Sequence, residues 1–272
     1  WLLEMHTRGE SRLVTINHLA VSVGSVAITL YLMTMDLDWR VSLGRVAVLL
    51  GLLAVLVGFL RPVARVARTG SDRGTFRRLS TDPGMILLAL AAMGTVGVEV
   101  GSAGVITTFA VELRGVDGES AQLLLALYLV GLAVGRVVVG VVGGRGRPGR
   151  MVAVAAGVAL LCSAVFFFVP LPAALLPAPL FILGLAAGPL LPLTIAAAGL
   201  RYRHVAGTAR GMGEFAIPVG GIVIPGLVGL LSDATSFAVA LGVFPLAALL
   251  VLLSAFAGGH LARCSEAVHE RV

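Results

Sequence analysis

Charge is scarce in this chain of 272 residues: Asp, Glu, Lys and Arg together make up 12% of it. A soluble domain of this length carries about 25% to cover its surface, so an ordinary soluble domain is excluded. Lysine is absent; all 20 basic residues are arginine, a bias to which we attach no function. There are two cysteines, Cys162 inside an apolar run and Cys264 in a polar tail. Neither stands in a metal-ligand pattern, and their settings argue against a disulfide between them. Sustained alternation of apolar and polar residues is missing too, which argues against membrane strands. The first residue is Trp1, no signal-peptide pattern follows it, and residues 1–3 read as the end of an earlier apolar segment. An N-terminal portion is therefore expected upstream.

What the chain has is apolar sequence, 58% of residues, with a mean hydropathy of +1.02. A helix that crosses a bilayer needs roughly 20 mostly apolar residues. Eight such runs are expected at 13–35, 41–60, 84–111, 120–143, 151–170, 173–200, 211–232 and 236–258. The fold class is thus an all-α membrane protein. Sixteen arginines fall in the segments that would share one side, against Arg40 and Arg114 on the other. By the positive-inside rule both ends are cytoplasmic, and the protein is placed in the cell (plasma) membrane. The same topological role accounts for the net charge of +6 and argues against nucleic acid. The longest connection, 61–83, is basic and ends at Pro83 and Gly84. It divides the chain into a remnant bundle at 1–60, a linker at 61–83, a six-helix bundle at 84–258 and a tail at 259–272. A six-span unit after a basic linker suggests one half of a two-bundle transporter.

Three motifs carry a resemblance. Gly135-Arg136-x3-Gly140 ends a helix and runs into a basic turn with Arg145, Gly149 and Arg150. Asp38-Trp39-Arg40 opens a span, and Gly220-Gly221-x3-Pro225-x3-Gly229-x3-Asp233 occupies a later one. In order and spacing these are similar to the major facilitator superfamily, as its helices five to twelve. Glu99, thirteen residues before Glu112 in one span, resembles the seventh helix of the fucose:proton symporter branch. The turn departs from the family pattern at Gly144, where an aspartate is usual. The resemblance implies a major facilitator-type bundle with about eight of an expected twelve helices present, and missing N-terminal helices as partners.

Ionisable groups deep in a membrane are costly and need a reason. Glu99 lies near the middle of 84–111, with Thr95 four residues before it and Ser102 three after, a polar stripe on one helix face. Two readings stand open: the stripe faces a central cavity and Glu99 binds solute or a proton, or Glu99 is a neutral acid bonded between helices. Asn17 and His18 in the first complete span either contribute to the solute site or pack near the headgroups. Arg136 is expected to anchor by snorkelling or to serve a gate with Gly140, Arg145, Gly149 and Arg150, outside the solute cavity in both readings. Glu214, near the same face, is a candidate partner for Arg210 or Arg136. Gly184, Gly188, Pro189 and Pro192 are expected to interrupt one helix, and Pro218, Gly220, Gly221 and Pro225 another, as packing sites or as hinges.

These features together imply a secondary transporter of a small solute working by alternating access, with the bilayer, the solute and protons as its partners. A sugar-like solute follows from the branch resemblance alone, and efflux by the same fold is the alternative. No P-loop is present, so ATP is not the expected energy source. No metal site and no cofactor are expected. A membrane-embedded enzyme would need His18, Glu99 and Glu214 to converge from three helices without a recognisable motif.

Overall fold

The structure is a computed structural model that describes residues 23–31, 39–59, 73–142 and 148–269. Among these residues the only regular structure is helical. Residues 23–31 form α1. Then follow α2 (Trp39–Gly58), α3 (Arg73–Ser80), α4 (Pro83–Val96), α5 (Ser102–Arg114), α6 (Gly118–Val142) and α7 (Pro148–Phe168). The last five are α8 (Pro177–Ala187), α9 (Leu190–Arg201), α10 (Ala206–Ala234), α11 (Phe237–Ala240) and α12 (Val243–His269).

Six of the described helical stretches are long and apolar enough to cross a membrane: Pro83–Arg114, Gly118–Val141, Pro148–Phe168, Ala173–Arg201, Arg203–Ala234 and Phe237–Gly259. They coincide with the last six expected runs. The expected span at 13–35 falls largely outside the described residues, and α2 covers most of the one at 41–60. The apolar side chains of α2, such as Val48, Leu49 and Leu52, are exposed over more than half their surface.

The structure adds detail to two expected segments and corrects one expected interruption. Part of the expected linker is helical, because Arg73–Ser80 forms α3. The run at 84–111 is not one uniform α-helix, since Gly97–Gly101 forms a π turn between α4 and α5. The prolines also act unequally. The chain breaks at Gly188 and Pro189, between α8 and α9, whereas Pro218 and Pro225 lie inside an unbroken α10. Each proline removes one backbone hydrogen bond, and in α10 the flanking turns carry the helix through.

Lipid is as apolar as leucine, so close packing and small residues hold such a bundle together. The α4–α5 span packs against α6, α9, α10 and α12, and α7 packs against α8, α9 and α12. At the crossing of α6 and α8 the two backbones meet. A Cβ on Gly184 would lie 2.2 Å from the Tyr128 carbonyl oxygen, and one on Gly188 would lie 2.3 Å from that of Leu132. Reciprocally, a Cβ on Gly135 would lie 2.2 Å from the Leu185 carbonyl oxygen. Only glycine admits this approach. Towards α7 and α12 the core is aromatic: Phe109, Phe166, Phe167 and Phe244 stack and tilt with centroids 4.9 to 5.3 Å apart. Arg114 lies over Phe109 and donates to the carbonyls of Phe167 and Val169, which closes the end of α7.

Candidate functional site

Glu99 sits in the π turn. A π turn pairs each N–H with the carbonyl five residues back, and the widening leaves carbonyls without their usual partner. The carbonyls of Val98 and Glu99 accept from the Tyr128 hydroxyl of α6, at 3.1 and 2.9 Å, and that of Glu99 accepts also from the Ser102 N–H. The glycines that bound the turn are fixed by neighbours. A Cβ on Gly97 would run into Ile224 of α10, and one on Gly101 into Phe244 of α12.

The Glu99 carboxylate forms an ion pair with Arg136, through Oε1 and Nη2. The Arg136 side chain is 2% exposed and that of Glu99 13%. Arg136 also donates from Nε to the carbonyl oxygen of Gly188, at 2.9 Å. That carbonyl is available for a local reason. Its helical donor would be the N–H four residues ahead, and that residue is Pro192, which has none. The guanidinium is therefore clamped between a carboxylate on one span and a released carbonyl on another. A buried charge is tolerated only when paired in this way.

This corrects the expectation for Arg136, which neither snorkels to water nor pairs with Glu214. Its long stem runs into the bundle, and the opposite charge it meets is Glu99. Glu214 is exposed on α10. Thr95 and Ser102 are fully buried. Thr95 donates to its own helix at Ala92, and among the described residues Ser102 Oγ and Glu99 Oε2 are buried without a hydrogen-bond partner. The stripe thus faces the packed interior of the bundle.

Of the other candidates, Asn17, His18 and Arg145 lie outside the described residues. Gly140 is buried in α6, while Gly149 and Arg150 are exposed in the first turn of α7. Arg150 and Pro189 border an apolar cavity of about 580 Å³ that also touches Val139, Val154 and Ile182. Cys162 is a buried free thiol.

Sequence reasoning missed Tyr128, the Gly188 carbonyl and a second polar cluster at the arginine-rich end of the bundle. There Asp82 caps α4 by accepting from the Met85 N–H at 2.9 Å, and it also accepts from the Tyr202 hydroxyl. Arg201 reaches the Gly258 carbonyl at 3.2 Å. Burial works against the charge on Asp82, but Tyr202, the Met85 N–H and Arg201 outweigh it and hold the carboxyl below its ordinary value. Burial and the Asp82 contact push the Tyr202 hydroxyl up to about 12. The signal for this cluster was the Asp-Pro-Gly opening of the span, a helix-start pattern.

Six apolar spans with a charged pair clamped at membrane depth define a multi-pass helical membrane protein with a polar centre. The chain belongs to the Major Facilitator Superfamily, whose profile matches residues 4–225. Among solved structures it is similar to the crystal structure of a Major Facilitator Superfamily transporter, FucP, in the outward conformation, with a TM-score of 0.62 and 19% identity. The match covers 80% of this chain and 54% of the FucP chain, so the chain spans about half the length of that transporter. No curated relative matches it.

Proposed function

We propose that the chain is the larger part of a secondary active transporter that moves a small solute by alternating access, with Glu99 as the group that exchanges protons. The observation that carries the reading is the Glu99–Arg136 pair. Even a paired acid and base are costly at membrane depth and mark function by default, and a carboxylate there can change its charge by taking up a proton. Protonation of Glu99 would dissolve the pair and release Arg136 from one span towards another. Glu99 Oε2, buried without a partner, leaves a position for a proton or a donor group. A sugar-like solute agrees with the branch that the sequence around Glu99 resembles. In this reading the protein lies in the plasma membrane with its arginine-rich loops and both ends in the cytoplasm. Its domain division is that of a partial N-terminal bundle, a basic linker and a six-helix bundle.

The test uses the complete protein in liposomes, with candidate sugars supplied under an imposed pH gradient. Solute flux and proton movement are recorded for the wild type and for Glu99→Gln, which keeps a hydrogen-bond acceptor for Arg136. Solute-dependent proton flux that disappears in the variant is the expected result. Coupled flux that persists in Glu99→Gln would remove Glu99 as the carrier.

A further inference from the structure

Two contacts from different spans hold Arg136, and one of them is the charged side chain of Glu99. The other is the Gly188 carbonyl, at 2.9 Å from Nε. In an uninterrupted helix that oxygen would be occupied by the N–H at position 192. Pro192 lies inside α9, in its first turn, where the ring is sterically tolerated. The break that separates α8 from α9 is at Gly188 and Pro189, four and three residues earlier. The α9 ladder begins with the Leu193 N–H on the Pro189 carbonyl, so the Gly188 carbonyl is the next that an N–H at 192 would add to it. The distinctive contribution of Pro192 is the missing donor. Gly188 must also be glycine, because a Cβ there would collide with the Leu132 carbonyl on the helix that carries Arg136.

We infer that Pro192 is a positioning residue: by withholding a backbone N–H from the Gly188 carbonyl, it keeps that oxygen for Arg136 and so holds the guanidinium against Glu99. With an N–H at 192, the carbonyl would be drawn into the α9 helix and Arg136 would lose that acceptor. The pair would loosen, and Glu99 would take up a proton at higher pH than in the wild type. Arg136 and Tyr128, both on α6, are the ionisable groups that bear on Glu99 among the described residues. The α10 and α12 helices meet the π turn with Ile224 and Phe244, and α8 carries no ionisable side chain. For its consequence in transport the inference rests on the reading of Glu99 as the proton carrier; for its geometry it does not.

The experiment compares two replacements of Pro192 in the complete protein. Pro192→Ala supplies an N–H. Lactic acid at position 192, introduced by stop-codon suppression, is the alanine analogue whose ester linkage has no N–H. Glu99 protonation is followed by its infrared carboxyl band, assigned by its loss in Glu99→Gln. The midpoint is expected about one pH unit higher in Pro192→Ala, and close to the wild type with lactic acid. An unchanged midpoint in folded Pro192→Ala would overturn the inference. So would an equal shift in both variants, which would trace the effect to the proline ring. A second readout is the Arg136 Nε–H resonance, assigned by its loss in Arg136→Lys. It should move in Pro192→Ala and return with lactic acid, and no movement overturns the inference. Should Glu99 show no titration, the proton-carrier reading falls, and this resonance alone decides the role of Pro192.

Discussion

Adding one methyl group at Gly135 should disturb the bundle more than its size suggests. The new Cβ would stand 2.2 Å from the Leu185 carbonyl oxygen, where ordinary contact begins at 3.4 Å. The obstacle is backbone, so no side chain can swing aside, and α6 and α8 must part by about 1.2 Å. Overpacking of this kind costs about 1–3 kcal/mol. Arg136 is the next residue, and its bond to Gly188 would stretch from 2.9 Å to beyond hydrogen-bonding range if the helices separate rigidly. Loss of a hydrogen bond to a charged group adds about 1.5–3 kcal/mol. The two effects predict that Gly135→Ala destabilises the protein by about 2.5–6 kcal/mol. Gly104→Ala is the control, because a Cβ there meets nothing within 4 Å. It should be neutral or slightly stabilising. The assay is thermal or denaturant unfolding of the purified protein in one detergent, followed through helix content. Equal stability of the two variants would refute the account of the α6–α8 crossing.

Other expectations follow from the same contacts. Glu99→Leu leaves Arg136 buried without its counter-charge and should cost about 3–5 kcal/mol; Glu99→Leu combined with Arg136→Met should recover most of that in the same unfolding assay. Tyr128→Phe strips the π turn of the donor to Val98 and Glu99, and a loss of about 1–3 kcal/mol is expected, with faster amide exchange at 97–102 as its local signature. Asp82 contributes to the pH dependence, since its ordinary value is 3.8 and its folded value is lower. A depressed acid contributes stability above its unfolded value and loses it as pH falls through the folded one. Tyr202→Phe should therefore lower the melting temperature at pH 7 by an amount that shrinks below about pH 4. A penalty of equal size at pH 7 and pH 3 would contradict the Asp82 contact.

The six long spans were legible because hydropathy and the length of a bilayer crossing are written residue by residue. The start of the third expected run was legible too, from Pro83 and Gly84. The interior of each span was harder. Nothing in the local pattern around Gly97 and Gly101 separates a π turn from an α-helix, because the turn is held open by Tyr128 on the next span. The partner of Arg136 was hidden for a similar reason: depth counted along α6 places it near the arginine-rich end, while the long side chain reaches inward to Glu99. The prolines could be read as loci but not as outcomes. Pro189 accompanies a break and Pro218 does not, and that depends on the neighbours each helix meets. A sharper reading was available in one place. Pro192 stands four residues after Gly188, and that interval alone announces a carbonyl without a helical donor.

The π turn at 97–101 also changes how this span answers to insertion and deletion. Elsewhere along the six spans, removing one residue would rotate everything beyond it by about 100° and turn the packed face towards lipid. Here the chain already holds one residue more than an α-helix would use. A deletion within the turn could be absorbed where it occurs, leaving α4 and α5 facing their present neighbours. What it would take away is the pair of carbonyls offered to Tyr128, and with them the placement of Glu99. In the segment that carries the charge, a change of length would thus spare the packing of the span and cost the site.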